Sequence, residues 1–309
     1  MTVKPGAGSN LEFQTSTSDQ MLYLDAAATR AALSMAAAIE SMETAFGDDR
    51  EVPLRTLLGG SLFMPGRAGA DSGVKVVSVV PGNPVGIIVV FGADGSPVGF
   101  VDGPVLTAIR TGAGAGLATR LFSRSEAKVL AMLGAGAMAF DQIEAVRTVR
   151  TIERTLVWSR DFQRATALAE RVGGEAVADA DEAVAAADIV STATPSLLPL
   201  FSDDAVKPGT HINAVGAYTP EMCEIPAETV RRAYVVVDDI EAAVAEAGDL
   251  IQADRPPVCT IGDVLAGRHP QVGEDVTMFK SVGIASQDVA AAIVALRRAA
   301  ELGLGQRLG

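Results

Sequence analysis

Residues 129–139 read VLAMLGAGAMA, a five-residue apolar run that enters Gly134, Gly136 and Ala139 and continues into a helix-forming segment. This GxGxxA spacing between strand and helix constrains the chain more than any other feature. Gly134 permits the tight turn, Gly136 removes a side chain where a pyrophosphate must approach the backbone, and the small Ala139 lets helix and strand pack closely. The start of the helix, expected from about Ala137 to Val149, then offers free N–H groups and a positive dipole end to the phosphates. Further apolar runs follow at TLVWS (155–159), ADIVSTAT (187–194), THINAVG (210–216) and AYVVVDD (233–239), with a helix predicted from about Phe162 to Val172. Apolar strands without alternation, joined by helices or crossovers, are the pattern of a parallel sheet covered on both faces. A second glycine run, RTGAGAG at 110–116, has no strand before it and reads as close helix packing.

The second strand of this unit ends in Trp158, Ser159, Arg160 and Asp161. A hydroxyl and a guanidinium at that tip suit a ribose 2′-phosphate, which favours NADP(H); Asp161 accepting the ribose hydroxyls instead would give NAD(H).

The first third has another style. One long helix is expected from Ala26 to Phe46, then short strands at VPLRTLL (52–58), GVKVVSVV (73–80), GIIVVF (86–91) and PVGFVD (97–102), separated by MPGR, PGNP and DGS. Such turn chemistry predicts an antiparallel meander. The chain closes with an Ala-rich helix, DVAAAIVALRRAAELG (288–303), expected to pack back on the first part. The predicted organisation is a mobile leader at 1–19, a smaller α+β substrate-binding and dimerisation domain at 20–122 with 283–309, and an α/β Rossmann-type doubly wound parallel sheet at 123–282.

A length of 309 residues with 49% hydrophobic and 20% charged residues is ample for two domains. The net charge of −13 repels nucleic acid and anionic membrane surfaces, and no basic patch offsets it. No apolar run reaches about 18 residues and the first twenty lack the apolar centre of a secretory signal, so a cytoplasmic location is expected. Cys223, Cys259, His211 and His269 have no metal-binding spacing; no metal is expected, and Cys223 reads as an apolar filler.

Three cations sit where solvated charges seldom sit. Alternation places Lys75 on a strand face with Val77 and Val79, Arg55 shares a face with Pro53 and Leu57, and Arg110 lies four residues after Leu106 near the inner face of a helix. A buried ammonium releases its proton or finds an anion. Each cation could pair with one of the 38 acids, but together they would attract a small carboxylate, each charge-assisted hydrogen bond contributing about 1.5–3 kcal/mol.

From about Met21 to Gly305 the chain resembles the ornithine cyclodeaminase/mu-crystallin family. The matching pieces are PLR (53–55), GVKVVSVVPGN (73–83), LTAIRTGA (106–113), LGAGAMA (133–139), VWSR (157–160), IVSTAT (189–194), INAVGAYTPEMCEI (212–225) and VTMFKSVGIASQD (276–288). The resemblance implies a homodimer in which the first sheet and the last helix make the subunit contact. It places Arg55, Lys75 and Arg110 at the substrate carboxylate, with the lysine close to the reacting nitrogen. It implies Ala137 and Met138 in the phosphate loop, Ser159 and Arg160 at the ribose, and Thr111, Thr192 and Thr194 beside the cofactor. Asn213, Ala214 and Val215 would run along the nicotinamide, and Ser281 and Val282 would return to the active site.

One departure bears on activity. Family cyclodeaminases carry an acidic residue where this chain has Tyr218, in GAYTPEM, and a lysine where it has Met222. A phenol keeps its proton at neutral pH and is a poor general base. The resemblance therefore implies reduction of a 2-imino acid, cyclic or formed from a 2-oxo acid, to an L-amino acid, with Tyr218 and Thr219 completing the polar wall and Ser281 near the substrate. A cyclodeaminase using catalytic NAD, or a non-catalytic cofactor-binding protein, are the alternatives. A dicarboxylate such as iminosuccinate would need one more cation, for which Arg67 is the candidate.

Overall fold

A computed structural model of the chain describes residues 21–80, 85–269 and 276–308; the expected leader and the PGNP turn lie outside the described residues. Two eight-stranded sheets organise it. In the first, the strands Ser61–Ala68, Asp71–Ser78, Gly86–Phe91 and Pro97–Asp102 form the predicted antiparallel meander. Met21–Leu24 joins it in parallel beside Pro97–Asp102 and is flanked by the last strand, Gln306–Leu308.

Three expectations about this half are corrected. MPGR is not a turn but the centre of the strand Ser61–Ala68. The short strands Thr56–Leu58 and Arg50–Glu51 cover only its two ends, at 61–63 and 67–68, so Pro65 sits in the gap between them, an effective edge where a strand tolerates proline. VPLRTLL is mostly irregular, with strand only at Thr56–Leu58. The single helix over 26–46 is two helices, Ala26–Ala32 and Met35–Phe46. Ser34 breaks it by taking extended backbone and accepting the Ala37 N–H at 3.3 Å as an N-cap.

The second sheet is wholly parallel and spatially ordered as Glu175–Ala176, Arg154–Trp158, Val129–Leu133, Ile189–Thr192, His211–Ala214, Thr277–Lys280, Tyr234–Val237 and Cys259–Thr260. This is the expected Rossmann-type doubly wound sheet. The chain leaves Val129–Leu133 to one side and returns on the other as Ile189–Thr192, so a switch point opens at the carboxyl ends of these two strands, where α/β sheets bind ligands. Buried apolar clusters cover both faces, Leu133, Val190, Ile212 and Val235 contributing to one and Leu130, Ile143, Val157 and Leu168 to the other.

The two sheets meet across helices. Met35–Phe46, Gly103–Phe122 and the last helix, Ala285–Leu302, bury Ile39, Leu106, Leu117 and Leu296 against Ile88 and Val101 of the first sheet and against Phe279 of the second. The glycines of RTGAGAG pack closely, as read from the sequence. A Cβ at Gly112 would lie 2.5 Å from the Asp141 carbonyl oxygen, and one at Gly116 2.7 Å from Ile39 Cδ1.

Candidate active site

The glycine turn lies at the switch point. Gly134 has φ +116°, and a Cβ there would meet the Ala193 carbonyl oxygen at 2.9 Å; only glycine fits both demands. A Cβ at Gly136 would meet nothing within 4 Å, so its bare backbone faces open space. The helix Ala139–Val149 begins after Met138 with no side-chain cap; the Ala139 N–H turns back to the Gly136 carbonyl at 3.2 Å, and the N–H groups that follow it in the first turn are open to a ligand. A cavity of about 170 Å³ lies over this turn, lined by Gly134, Gly136, Trp158, Ser159, Arg160, Arg164 and Thr194 among others. Asp161 is committed elsewhere: it caps the helix Phe162–Val172, accepting the N–H groups of Gln163 and Arg164 at 3.1 and 3.4 Å. No hydrogen bond or ion pair ties Arg160 to another described residue.

A second cavity, about 520 Å³, shares Ala193, Thr194 and Pro195 with the first and reaches the meander. Arg55, Lys75, Arg110, Thr111, Ala137, Met138, Val215, Tyr218, Ser281 and Val282 line it, together with the apolar Leu62, Met64, Val77 and Pro104. Lys75 and Arg110 are each only 5% exposed, while Tyr218, on the loop after His211–Ala214, is 52% exposed at the rim. The last helix seats its first turn on the meander because glycines make room: a Cβ at Gly66 would lie 2.7 Å from the Ala285 Cβ and one at Gly73 3.1 Å from Val289. That seating brings the buried Asp288 between the two cations. Its Oδ1 accepts from Arg110 Nε at 3.0 Å and lies 3.4 Å from Lys75 Nζ. Arg110 also donates to Gln287 Oε1 at 3.2 Å. Burial pushes the Lys75 ammonium down to about 8; Asp288 opposes the fall and Arg110 and Arg55 add to it.

Arg55 donates to the Gly283 carbonyl at 3.1 Å and pairs with Glu246 at 2.9 Å. Burial raises the Glu246 carboxyl above its ordinary range, and Arg55 counters it. The segment Ser281–Gly283 is fixed from below by Asp238, whose Oδ2 accepts the Ser281 hydroxyl at 2.8 Å and the N–H groups of Val282 and Gly283 at 3.0 and 2.7 Å.

Four residues implied by the resemblance line neither cavity. Thr192 donates its hydroxyl to Glu224 at 2.9 Å. Asn213 is buried, its amide donating to Thr119 at 2.9 Å and its Oδ1 facing His211 at 3.1 Å. Ala214 is enclosed in the sheet, and Thr219 turns its carbonyl toward Gly248 and the Met222 N–H. Arg67 pairs with Glu51 and Gly69, away from the cavity, so it supplies no extra cation there. Cys223 is buried as expected, its thiol pushed up to about 12 by burial and then by Asp249. Among the described residues no cluster could hold a metal ion.

Sequence reasoning missed the acids. Asp288, Asp238 and Glu224 each organise a wall of the cleft. Glu224 accepts the Thr194 N–H at 2.6 Å and the Gly216 N–H at 2.8 Å as well as the Thr192 hydroxyl, joining the loops that follow two adjacent strands. Behind it Lys280 and Asp249 form a fully buried ion pair at 2.9 Å. An acid inside an apolar run, as in MCEI or YVVVDD, is the signal that could have found two of them.

Compared with known proteins, residues 14–302 match the model of the ornithine cyclodeaminase/mu-crystallin family. A Delta(1)-pyrroline-2-carboxylate reductase from Bacillus cereus is 36% identical over 296 residues, covering 85% of this chain and 91% of that protein. Among solved structures, Thermococcus litoralis Delta(1)-pyrroline-2-carboxylate reductase in complex with NADH and L-proline superposes with a TM-score of 0.86 at 31% identity, covering 93% of this chain and 100% of that one. An archaeal alanine dehydrogenase dimer with bound NAD gives a TM-score of 0.86 at 28% identity over 94% of this chain and 99% of that one.

Proposed function

The chain belongs to the ornithine cyclodeaminase/mu-crystallin family, and from the site it carries we propose that it reduces a 2-imino acid to an L-amino acid with NAD(P)H. The observation that carries this is one cavity lined by Lys75 and Arg110 together with Thr194 and with Ala137 and Met138, the residues that follow the glycine turn. A nicotinamide cofactor held with its pyrophosphate at that turn would supply the hydride. The side chains do the rest. Arg110 and Arg55 hold the substrate carboxylate, and Arg55 must exchange part of its contact with Glu246 for it. Lys75 holds a proton at the imine nitrogen, which makes the C=N carbon electrophilic and leaves an amine once the hydride has arrived. Leu62, Met64, Val77 and Pro104 keep water from an imine that would otherwise hydrolyse. Tyr218 stands at the rim as a hydrogen-bond donor, with Ser281 on the facing wall.

Lys75⁺ and Arg110⁺ against Asp288⁻ leave one positive charge, and Arg55 is matched by Glu246. The buried Asp238, which also interacts with Arg110, takes up that surplus, so no cation is left over for a second substrate carboxylate and iminosuccinate is disfavoured. NADP(H) is the preferred cofactor in this proposal, since Asp161 is spent as a helix cap while Ser159, Arg160 and Arg164 surround the ribose end of the smaller cavity. The proposed division is a substrate and dimer domain at 20–122 with 283–309 and a nucleotide domain at 123–282. The proposed assembly is a homodimer, by analogy with the alanine dehydrogenase dimer, in the cytoplasm.

The test is a panel of 2-oxo acids with ammonia or methylamine beside preformed pyrroline- and piperideine-2-carboxylate, following NADPH and NADH absorbance. Stoichiometric cofactor oxidation with a cyclic imine supports the reading. Ammonia release from ornithine with no net NADH build-up would establish the cyclodeaminase instead. An Arg160→Ser variant should lose its preference for NADPH about tenfold or more.

A further inference from the structure

We propose that Asp288 is a positioning residue of this reduction: its carboxylate keeps the Lys75 ammonium charged and aimed into the cavity. The inference rests on the reductase reading for its kinetic consequences, though not for its geometry. Asp288 lies in the first turn of the last helix with its side chain 1% exposed. Its Oδ1 is shared between Arg110 Nε at 3.0 Å and Lys75 Nζ at 3.4 Å, and its Oδ2 is buried with no hydrogen-bond partner among the described residues. A carboxylate held this dry, with half its acceptor capacity unused, is costly, and an apolar residue would fill the same space without that cost. The cations explain it. Lys75 would otherwise face only positive neighbours, Arg110 from the helix Gly103–Phe122 and Arg55 from the segment before Thr56–Leu58. Glu246 is taken up by Arg55, Asp238 by the Ser281–Gly283 segment, and Tyr218 stands at the rim.

Without an anion beside it, a desolvated lysine next to two guanidiniums releases its proton at neutral pH and cannot donate to the imine nitrogen. The stronger contact to Arg110 has a second effect. It fixes the guanidinium by its Nε edge and leaves the Nη2 group for a substrate carboxylate. Asp288 touches neither substrate nor cofactor, and acts through these two cations.

The experiment compares wild type with Asp288→Asn as cofactor-loaded enzymes, using kcat/KM for preformed pyrroline-2-carboxylate across the pH range and ¹⁵N-lysine NMR to follow Lys75, its signal assigned by loss in Lys75→Met. In wild type Lys75 titrates near pH 8. In Asp288→Asn the alkaline limb of the rate profile and the Lys75 titration should both move about one pH unit or more toward acid, the size expected for losing an opposite charge at this range. Loss of activity by one factor at every pH, with the limb and the Lys75 signal unmoved, marks a merely structural role and overturns the proposal. Asp288→Glu keeps the charge and should lower kcat while leaving the limb near pH 8; a limb displaced as far as in Asp288→Asn also overturns it, and this variant decides the matter if Asp288→Asn does not fold. A wild type that turns over no imine overturns the reductase reading, and the NMR titration then decides Asp288 on its own.

Discussion

Replacing Lys75 by Met should make the protein more stable and nearly inactive at once. The two side chains have similar length, and Met64, Val77 and Leu62 already line that wall with apolar groups. In the folded state the Lys75 pKa is down from 10.5 to about 8, chiefly through burial. A depressed lysine is a destabilising one. Between those values the unfolded chain still holds the proton that the folded chain has released, so stability contributed by this group rises as pH climbs from about 8 to about 10.5. Below pH 8 the penalty is complete, and a shift of about 2.5 units corresponds to about 3 kcal/mol. Lys75→Met removes that penalty while Arg110 retains Asp288 at 3.0 Å, so a gain of up to about 3 kcal/mol at pH 7, about 5 °C in melting temperature, is expected. Activity goes the other way. Loss of a charge-assisted hydrogen bond costs about 10- to 150-fold and loss of the proton donor about 10²–10⁴-fold, so kcat/KM should fall about 10³-fold or more. The assay pairs thermal melts of both proteins at pH 7 and pH 10 with cofactor titration by fluorescence and steady-state imine reduction. The stability difference should shrink at pH 10 and cofactor affinity should hold. A variant that turns over like wild type would exclude Lys75 as the proton donor, and one destabilised equally at both pH values would exclude a buried-charge penalty at this position.

Gly283→Ala places a Cβ 2.8 Å from Arg110 Nη1 at φ +82°, a strained backbone for alanine; the imine KM should rise about tenfold or more with cofactor affinity little changed, as steady-state kinetics would read. Glu224→Gln removes the charge that receives three donors from the cofactor loops, so cofactor Kd should rise about tenfold, measured by fluorescence titration; an unchanged Kd would show that the loops hold themselves. His211 is buried between Thr277 and Asn213, and burial lowers it from 6.5 to about 4. The folded chain therefore refuses a proton that the unfolded chain accepts, and about 3 kcal/mol of stability is lost as pH falls from 6.5 to about 4; melts against pH should show that limb flattened in His211→Gln.

Much of the site was legible because its logic is local. VLAMLGAGAMA announces strand, turn and helix within eleven residues, and Lys75 betrays its burial by alternating with valines on one strand. What the sequence conceals is what partners from far away decide. MPGR looks like a turn, and becomes strand because residues 50–51 and 56–58 leave a gap at Pro65 and because the last helix needs Gly66 to be bare. Asp288 looks like an ordinary helix-start acid, and its role follows only from cations 178 and 213 residues away in the chain. Asn213 has the residue type expected of a cofactor contact, but strand alternation turns its side chain to Thr119, across the seam between the two sheets.

The glycines of the helix Gly103–Phe122 set how the cleft can move. Gly112 lies against the Asp141 backbone and Gly116 against the Ile39 and Ala145 side chains, and Arg30 grips Asp141 with both guanidinium arms at 2.7 and 3.1 Å. At the cavity Arg55 reaches Glu246, with the two side chains 25% and 26% exposed, and nearby Arg50 meets Asp239 and Arg268 meets Asp48. The molecule is built like a clasp, tightly packed at its back and fastened by ion pairs at its front, and in the proposed reduction one of those fastenings, Arg55, also receives the incoming acid.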